Sequence, residues 1–210
     1  NAELKEFGKE IDFYPGLPEF FSGVTETIEQ ENADVQVEHY VITTGIRQMV
    51  EGSKIGSYLD GIFASEFLEE EQDGHNVISG IARAIGFIKK TEYIHLINKG
   101  GNVDASIDIN GMLPPEQRRV PFENMFFIGD GFTDIPCFAT LNHRNGTSLG
   151  VYNPQVAGAR EQADKLFEQK RVQSIHPADY QTGSSLYKAV IKNCRGKLIE
   201  VSQSSGDKLI

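Results

Sequence analysis

The chain has 210 residues, with 20 Lys+Arg against 30 Asp+Glu, a net charge of −10. That length suits one domain of roughly 100–200 residues, and 39% hydrophobic with 24% charged residues is a globular composition, not a disordered one. The acidic excess argues against nucleic acid as a partner, because phosphate backbones demand clustered Lys and Arg, but a few cations or a metal could still hold a small phosphorylated substrate. Two cysteines, Cys137 and Cys194, are too few for a disulfide framework and read as small buried hydrophobes of a reducing, cytoplasmic compartment. No apolar run approaches the roughly 18 residues of a membrane span, so no membrane partner is expected.

In chain order, residues 1–13 are mixed charged and polar, and Tyr14-Pro15-Gly16 marks a turn. Residues 17–30 place Phe20, Val24 and Ile28 on one helical face, with Pro18 where a first turn tolerates it. A strand is predicted over 35–43; its solid apolar run, Tyr40-Val41-Ile42, is how a strand buried on both faces reads, which favours a parallel sheet. Thr43-Thr44-Gly45 then leads into a short helix over 46–51, ended by Gly52. Residues 61–67 read as a second strand, and the acidic stretch 69–74 as a turn or hairpin tip. A helix over 91–98 has Thr91 as N-cap and Gly100 as C-cap. Residues 101–120, broken by Gly101, Gly111, Pro114 and Pro115, read as a loop insertion. Strands follow over 125–128 and 148–152, with a helix from Pro154 to about Gln169, a last helix over 184–194, and a polar tail. Alternating strands and helices give an open α/β sheet, in which ligands bind where strand ends lead into helix N-termini.

Three segments at such junctions carry chemistry. In Phe127-Ile128-Gly129-Asp130-Gly131-Phe132-Thr133-Asp134, an apolar strand ends in an aspartate between glycines, and a second aspartate follows four residues on. Two carboxylates on one tight loop suit Mg²⁺, which keeps several waters and takes one or two protein carboxylates plus phosphate oxygens. The plainer reading is a glycine turn with Asp134 capping the helix that Pro136 helps to start. Thr43-Thr44-Gly45 offers hydroxyls and free amides for an anion, or an ordinary threonine cap. Lys90 stands at a helix start, where a cation faces the positive end of the dipole at a cost of about 0.3–1 kcal/mol; an anion between them would account for it, and so would simple solvation of Lys89 and Lys90. His39 reads as packed within its strand, while His75, His95, His143 and His176 show no metal-ligand spacing.

The order of these segments resembles the second, third and fourth motifs of the haloacid dehalogenase (HAD) superfamily of phosphohydrolases, nearest to its phosphoserine-phosphatase-like branch. The stretches 13–17, 40–45, 62–67, 97–100 and 120–138 share in the likeness, which covers most of residues 8–152. It implies a Rossmann-like α/β core, mostly parallel, with helices on both faces, over 14–195, with insertions near 66–88 and 101–120. Residues 1–13 would be a remnant of cap or linker, and 196–210 a C-terminal tail. It further implies hydrolysis of a small phosphate monoester. Thr43 would bond a phosphoryl oxygen beside the Thr44 and Gly45 amides, and Lys90 (or Lys89) would neutralise charge. Asp130 would bind Mg²⁺, and Asp134 would bind it or orient its waters. The family's first motif, Asp-x-Asp-x-Thr, is absent from the sequence: Glu10-Ile11-Asp12 lacks the pattern, and Asp104 and Asp108 have the wrong spacing. The nucleophile, the central strand and most of the cap are thus expected to be missing from this chain. It would be a piece of a longer enzyme, a divergent binding protein, or half of a split one. As such it would be inactive alone, or else a non-catalytic α/β interaction module, with bare sheet edges open to self-association.

Overall fold

The computed structural model describes residues 1–206, with side chains described to Leu198. Its elements run α1 (Ala2–Gly8), α2 (Glu19–Glu31), β1 (Tyr40–Ile46), α3 (Arg47–Gly52), β2 (Gly61–Gln72), β3 (His75–Arg83), α4 (Lys90–Lys99), β4 (Phe126–Gly129), α5 (Ile135–Asn142), β5 (Thr147–Tyr152), α6 (Ala159–Glu168), β6 (Ser174–Pro177) and α7 (Ser185–Gly206). The α/β class expected from the alternation is observed. Among the described residues no helix is long and apolar enough to cross a membrane.

The strands form two sheets of three, where the sequence pointed to one. In the first, β1 pairs parallel with β2, and β2 pairs antiparallel with β3. In the second, β4, β5 and β6 are all parallel, in that order. Strand alternation buries both faces of the second sheet. Leu149 and Val151 of β5, with Ile128 of β4, meet Phe20, Val24 and Ile28 of α2 and Leu186, Val190 and Ile191 of α7. On the opposite face, Phe127 and Ile175 pack with Phe138 of α5 and Leu166 of α6. The two sheets meet over a shared helical layer. Ile42 of β1 and Phe127 of β4 both pack against the cluster of Ile94, Phe122, Cys137 and Leu141 from α4, α5 and the turn before β4. No ladder joins β1 to β4, so each keeps one bare edge on the inner side. Their apolar runs are accordingly only half-buried, whereas β5, flanked on both sides, is buried from Thr147 to Val151.

Several boundaries differ from expectation for local reasons. The first strand begins at Tyr40 because the preceding amides are taken by side chains: Val37 N–H donates to Glu29 Oε1 (2.9 Å) and His39 N–H to Asp60 Oδ2 (2.7 Å). The acidic residues 69–72 lie within β2, and the tip is only Asp73-Gly74, both at positive φ (52° and 77°), the geometry of a two-residue primed turn. Strand β3 escapes a period-two reading because two register shifts break its alternation. Thr91 is not the N-cap of α4; Lys89 holds that place, and the Thr91 hydroxyl donates to Ile88 O (2.7 Å). Gly100 does close the helix, at φ 92°, where its amide reaches Leu96 O and Ile97 O. Helix α6 starts only at Ala159, after an Asx turn in which Asn153 Oδ1 accepts the Gln155 amide.

Residues 1–13 contain α1, which docks on α3 through close backbone approach at Gly8 and Gly52 and a Lys5–Glu51 ion pair of 3.0 Å. The expected tail is helical through Gly206, as the end of α7; residues 207–210 lie outside the described residues.

Candidate functional site

Strand β4 ends at Gly129, and the chain turns through Asp130, Gly131 and a short 3-10 turn, Phe132–Asp134, into α5. Neither glycine has positive φ. Gly129 is required by close approach: a Cβ there would stand 2.6 Å from Asp134 Oδ2 and 2.8 Å from its Cγ. Gly131 is extended, and a Cβ on it would meet open space. That leaves a bare rim beside the Asp130 carboxylate. Asp130 is exposed, and its carboxylate makes no hydrogen bond or ion pair among the described residues.

Asp134 turns inward instead. Its Oδ2 accepts the Asp130 amide (3.2 Å), closing the loop, and its Oδ1 accepts from Lys90 Nζ (2.7 Å). The two side chains are only 8% and 7% exposed. Lys90 also reaches Thr133 Oγ1 (3.4 Å). An ammonium has three donors, so one remains for an anion arriving at the start of α4. Of the two lysines weighed, Lys90 is the buried one and Lys89 is exposed. The Asp134 carboxylate offsets both the desolvation of the lysine and its position at the positive end of the α4 dipole.

Thr43, Thr44 and Gly45 lie in the last residues of β1, just before α3 begins at Arg47. The register slips there, so that these three residues stand against the single residue Ala64 of β2. The Thr43 hydroxyl accepts the Gly45 amide (3.0 Å), and Ser65 Oγ donates to Thr44 O (3.1 Å). The bulge lies at the carboxyl end of its strand, as the Asp130 loop does. No hydrogen bond or ion pair among the described residues links these threonines to Lys90, Asp130 or Asp134.

Two neighbours were not singled out from sequence. Thr133 lies inside the aspartate motif and was legible there. Tyr180 carries no such signal; the fold brings it in through its amide bond to Pro15 O (2.7 Å) and a stack on Tyr14 (6.5 Å between centroids). Burial raises the Tyr180 phenol to about 12, with Tyr14 and the nearby Asp130 carboxylate adding to the rise.

Other titratable groups read as structural. His39 Nε2 lies 2.9 Å from Thr25 Oγ1 and 3.1 Å from Phe21 O, and burial lowers its pKa. Cys137 is fully buried, its thiol pushed up to about 12 by burial and then by Asp134. Among the described residues no group of three or more His, Cys, Asp or Glu could hold a metal ion by itself. Mg²⁺ makes smaller demands. Asp130 is free to ligate, while Asp134 has both oxygens engaged and fits better as the residue that positions Lys90 and the loop.

A protein of Borreliella burgdorferi described only as uncharacterized is 31% identical over 209 residues, spanning 91% of this chain and 70% of its own length. The chain belongs to the family of that protein. No family model matches the chain, and no solved structure matches it. Family membership therefore brings no activity with it, and function rests on the geometry above.

Proposed function

We propose that the chain carries the phosphoryl-binding part of a Mg²⁺-dependent phosphohydrolase with a HAD-like, Rossmann-type core. The observation that carries this reading is the buried Lys90–Asp134 pair beside an exposed, unpartnered Asp130 on a glycine-flanked loop. A phosphoryl transition state spreads negative charge over three oxygens, so a fixed ammonium with a spare donor is the group it needs. Mg²⁺ on Asp130 would supply a second positive charge against the same oxygens. Lys90 would hold the phosphoryl group, with Asp134 and Thr133 holding Lys90, and Thr43 at the end of β1 would bond a phosphoryl oxygen.

The bare inner edges of β1 and β4 support the same reading from a different direction. Both strands are parallel to their partners, and both lie over the α4–α5 layer without a ladder between them. A parallel strand between them would complete one sheet and bring its carboxyl end next to Asp130. No Asp-x-Asp-x-Thr motif exists in these 210 residues, so the nucleophile would have to come on that strand from another segment or chain.

A second reading is favoured by that same absence: a non-catalytic α/β module that keeps a phosphate and metal site for binding. Phosphate binding and phosphate-ester turnover by the purified chain test the site. We expect phosphate binding that depends on Mg²⁺ and is lost in Asp130→Asn, without steady hydrolysis. Steady hydrolysis abolished by Asp130→Ala would refute the inactivity of this chain, and Mg²⁺-dependent phosphate binding indifferent to Asp130 would refute the site.

A further inference from the structure

At the far end of α4 from Lys90, cations collect where the chain's acidity would not lead one to expect them. Phe122, buried at 3% exposure, is the floor. The Arg144 guanidinium carbon lies 4.7 Å from its ring centroid, that of Arg118 lies 5.5 Å away, and the His95 ring packs edge-on at 5.3 Å. Arg118 Nε donates to Leu113 O (3.3 Å), which fixes its plane and leaves the outer nitrogens available. The Arg144 side chain makes no hydrogen bond or ion pair among the described residues. Lys99 stands close by, with two of its three ammonium donors engaged by Ile109 O and Gly111 O, and adds positive charge to the cluster. His95 reports the local field. Burial first, then Arg144, Lys99 and Arg118, hold its imidazole below the usual value, and no carboxylate acts in the opposite sense.

Four other arginines, by contrast, pair with carboxylates: Arg47 with Glu51, Arg119 with Glu38, Arg160 with Asp164 and Arg195 with Glu31. In a chain of net charge −10, two arginines and a histidine share one ring with a lysine close by, and none of the four bonds a carboxylate among the described residues, so they call for another source of negative charge. A cleft of about 550 Å³ reaches the cluster at His95, lined by Lys89, Thr91, Glu92, His95 and Ile109.

We infer that Arg118, Arg144 and His95 form a binding site for a small phosphate-bearing dianion, separate from the Asp130 loop and independent of the function proposed for it. Planar guanidinium forks are suited to phosphate oxygens, and Phe122 packs against both with no carboxylate bonded to either. The adjoining cleft has room for the organic part of a phosphate monoester, whereas free phosphate would use the cluster alone.

The test is a titration of the full chain with inorganic phosphate and, separately, with a nucleoside monophosphate. It is followed by calorimetry and by NMR of the His95 imidazole. We expect saturable binding that raises the His95 pKa, because an added dianion offsets the surrounding cations. Arg144→Gln, exposed and unbonded, and Arg118→Gln should each weaken binding about tenfold or more. Asp130→Asn should leave this binding unchanged, which separates it from a failure of the other site. Tighter binding of the ester assigns the cleft to its organic group; equal affinity assigns free phosphate. The inference is overturned if no saturation is reached by about 10 mM. It is also overturned if both arginine variants bind like the parent, or if an oligoglutamate peptide binds and phosphate does not.

Discussion

Removing the Asp134 carboxylate should cost more stability than any other single truncation at the site. In Asp134→Ala the Lys90 ammonium stays buried, at 8% side-chain exposure, with only the 3.4 Å contact to Thr133 left. Breaking one side of a buried pair in this way costs about 3–5 kcal/mol. The Asp130 amide also loses its acceptor, adding about 1 kcal/mol and placing the variant near the top of that range. Lys90→Met should cost less, because the stranded carboxylate can neutralise itself by taking a proton, and its penalty should shrink as pH falls. The double variant Lys90→Met/Asp134→Leu removes both charges and should lose less than Asp134→Ala alone, a coupling of roughly 2 kcal/mol or more. Urea unfolding at constant m-value measures all three. Single losses below about 1 kcal/mol that simply add in the double variant would show that the pair is solvated and not structural.

Gly129→Ala should destabilise by about 1–3 kcal/mol through the clash with Asp134, while Gly131→Ala, facing open space, should stay within about 0.5 kcal/mol; thermal unfolding of both checks this. Burial lowers the pKa values of His39, His95 and His176, so the unfolded chain binds more protons below pH 6.5. Their contribution is complete above the unfolded value and is lost as pH falls through the folded ones. Stability should therefore drop as pH falls through and below about 6.5, and less steeply in His39→Gln; a flat profile would contradict this. Cys137, fully buried with its thiol raised to about 12, should react with a disulfide reagent only as fast as the chain opens; a rapid phase assigned to Cys137 in the native protein would contradict its burial.

The helical faces were the most legible part of the sequence, because Phe20, Val24 and Ile28 recur at the helical period and all three are buried. The α/β class followed from Met125–Ile128 and Ser148–Tyr152, short apolar runs between helices. Strand β3 was hidden because bulges break its period, and β6 because four residues ending in Pro177 carry little pattern. In the site, the aspartate loop was legible as a motif, but its internal division of labour was not. Nothing in the spacing tells that Asp134 turns in to Lys90 while Asp130 stays free. The threonines do end a strand that leads into a helix, but the bulge that extends the strand to Ile46 was not legible. Tyr180 and the Phe122 cluster depend on contacts between distant segments, which local pattern does not encode.

The phosphoryl-binding reading is tested most directly by the unfolding midpoint of the parent and of Asp130→Asn, each titrated with Mg²⁺ and phosphate together. At a hundredfold excess over Kd, a ligand that binds only the folded chain adds about 2.7 kcal/mol. We expect a Mg²⁺-dependent rise in the parent that persists in Arg144→Gln and disappears in Asp130→Asn. An equal rise in Asp130→Asn, or none in the parent, would contradict the assignment of this loop as the metal and phosphate site.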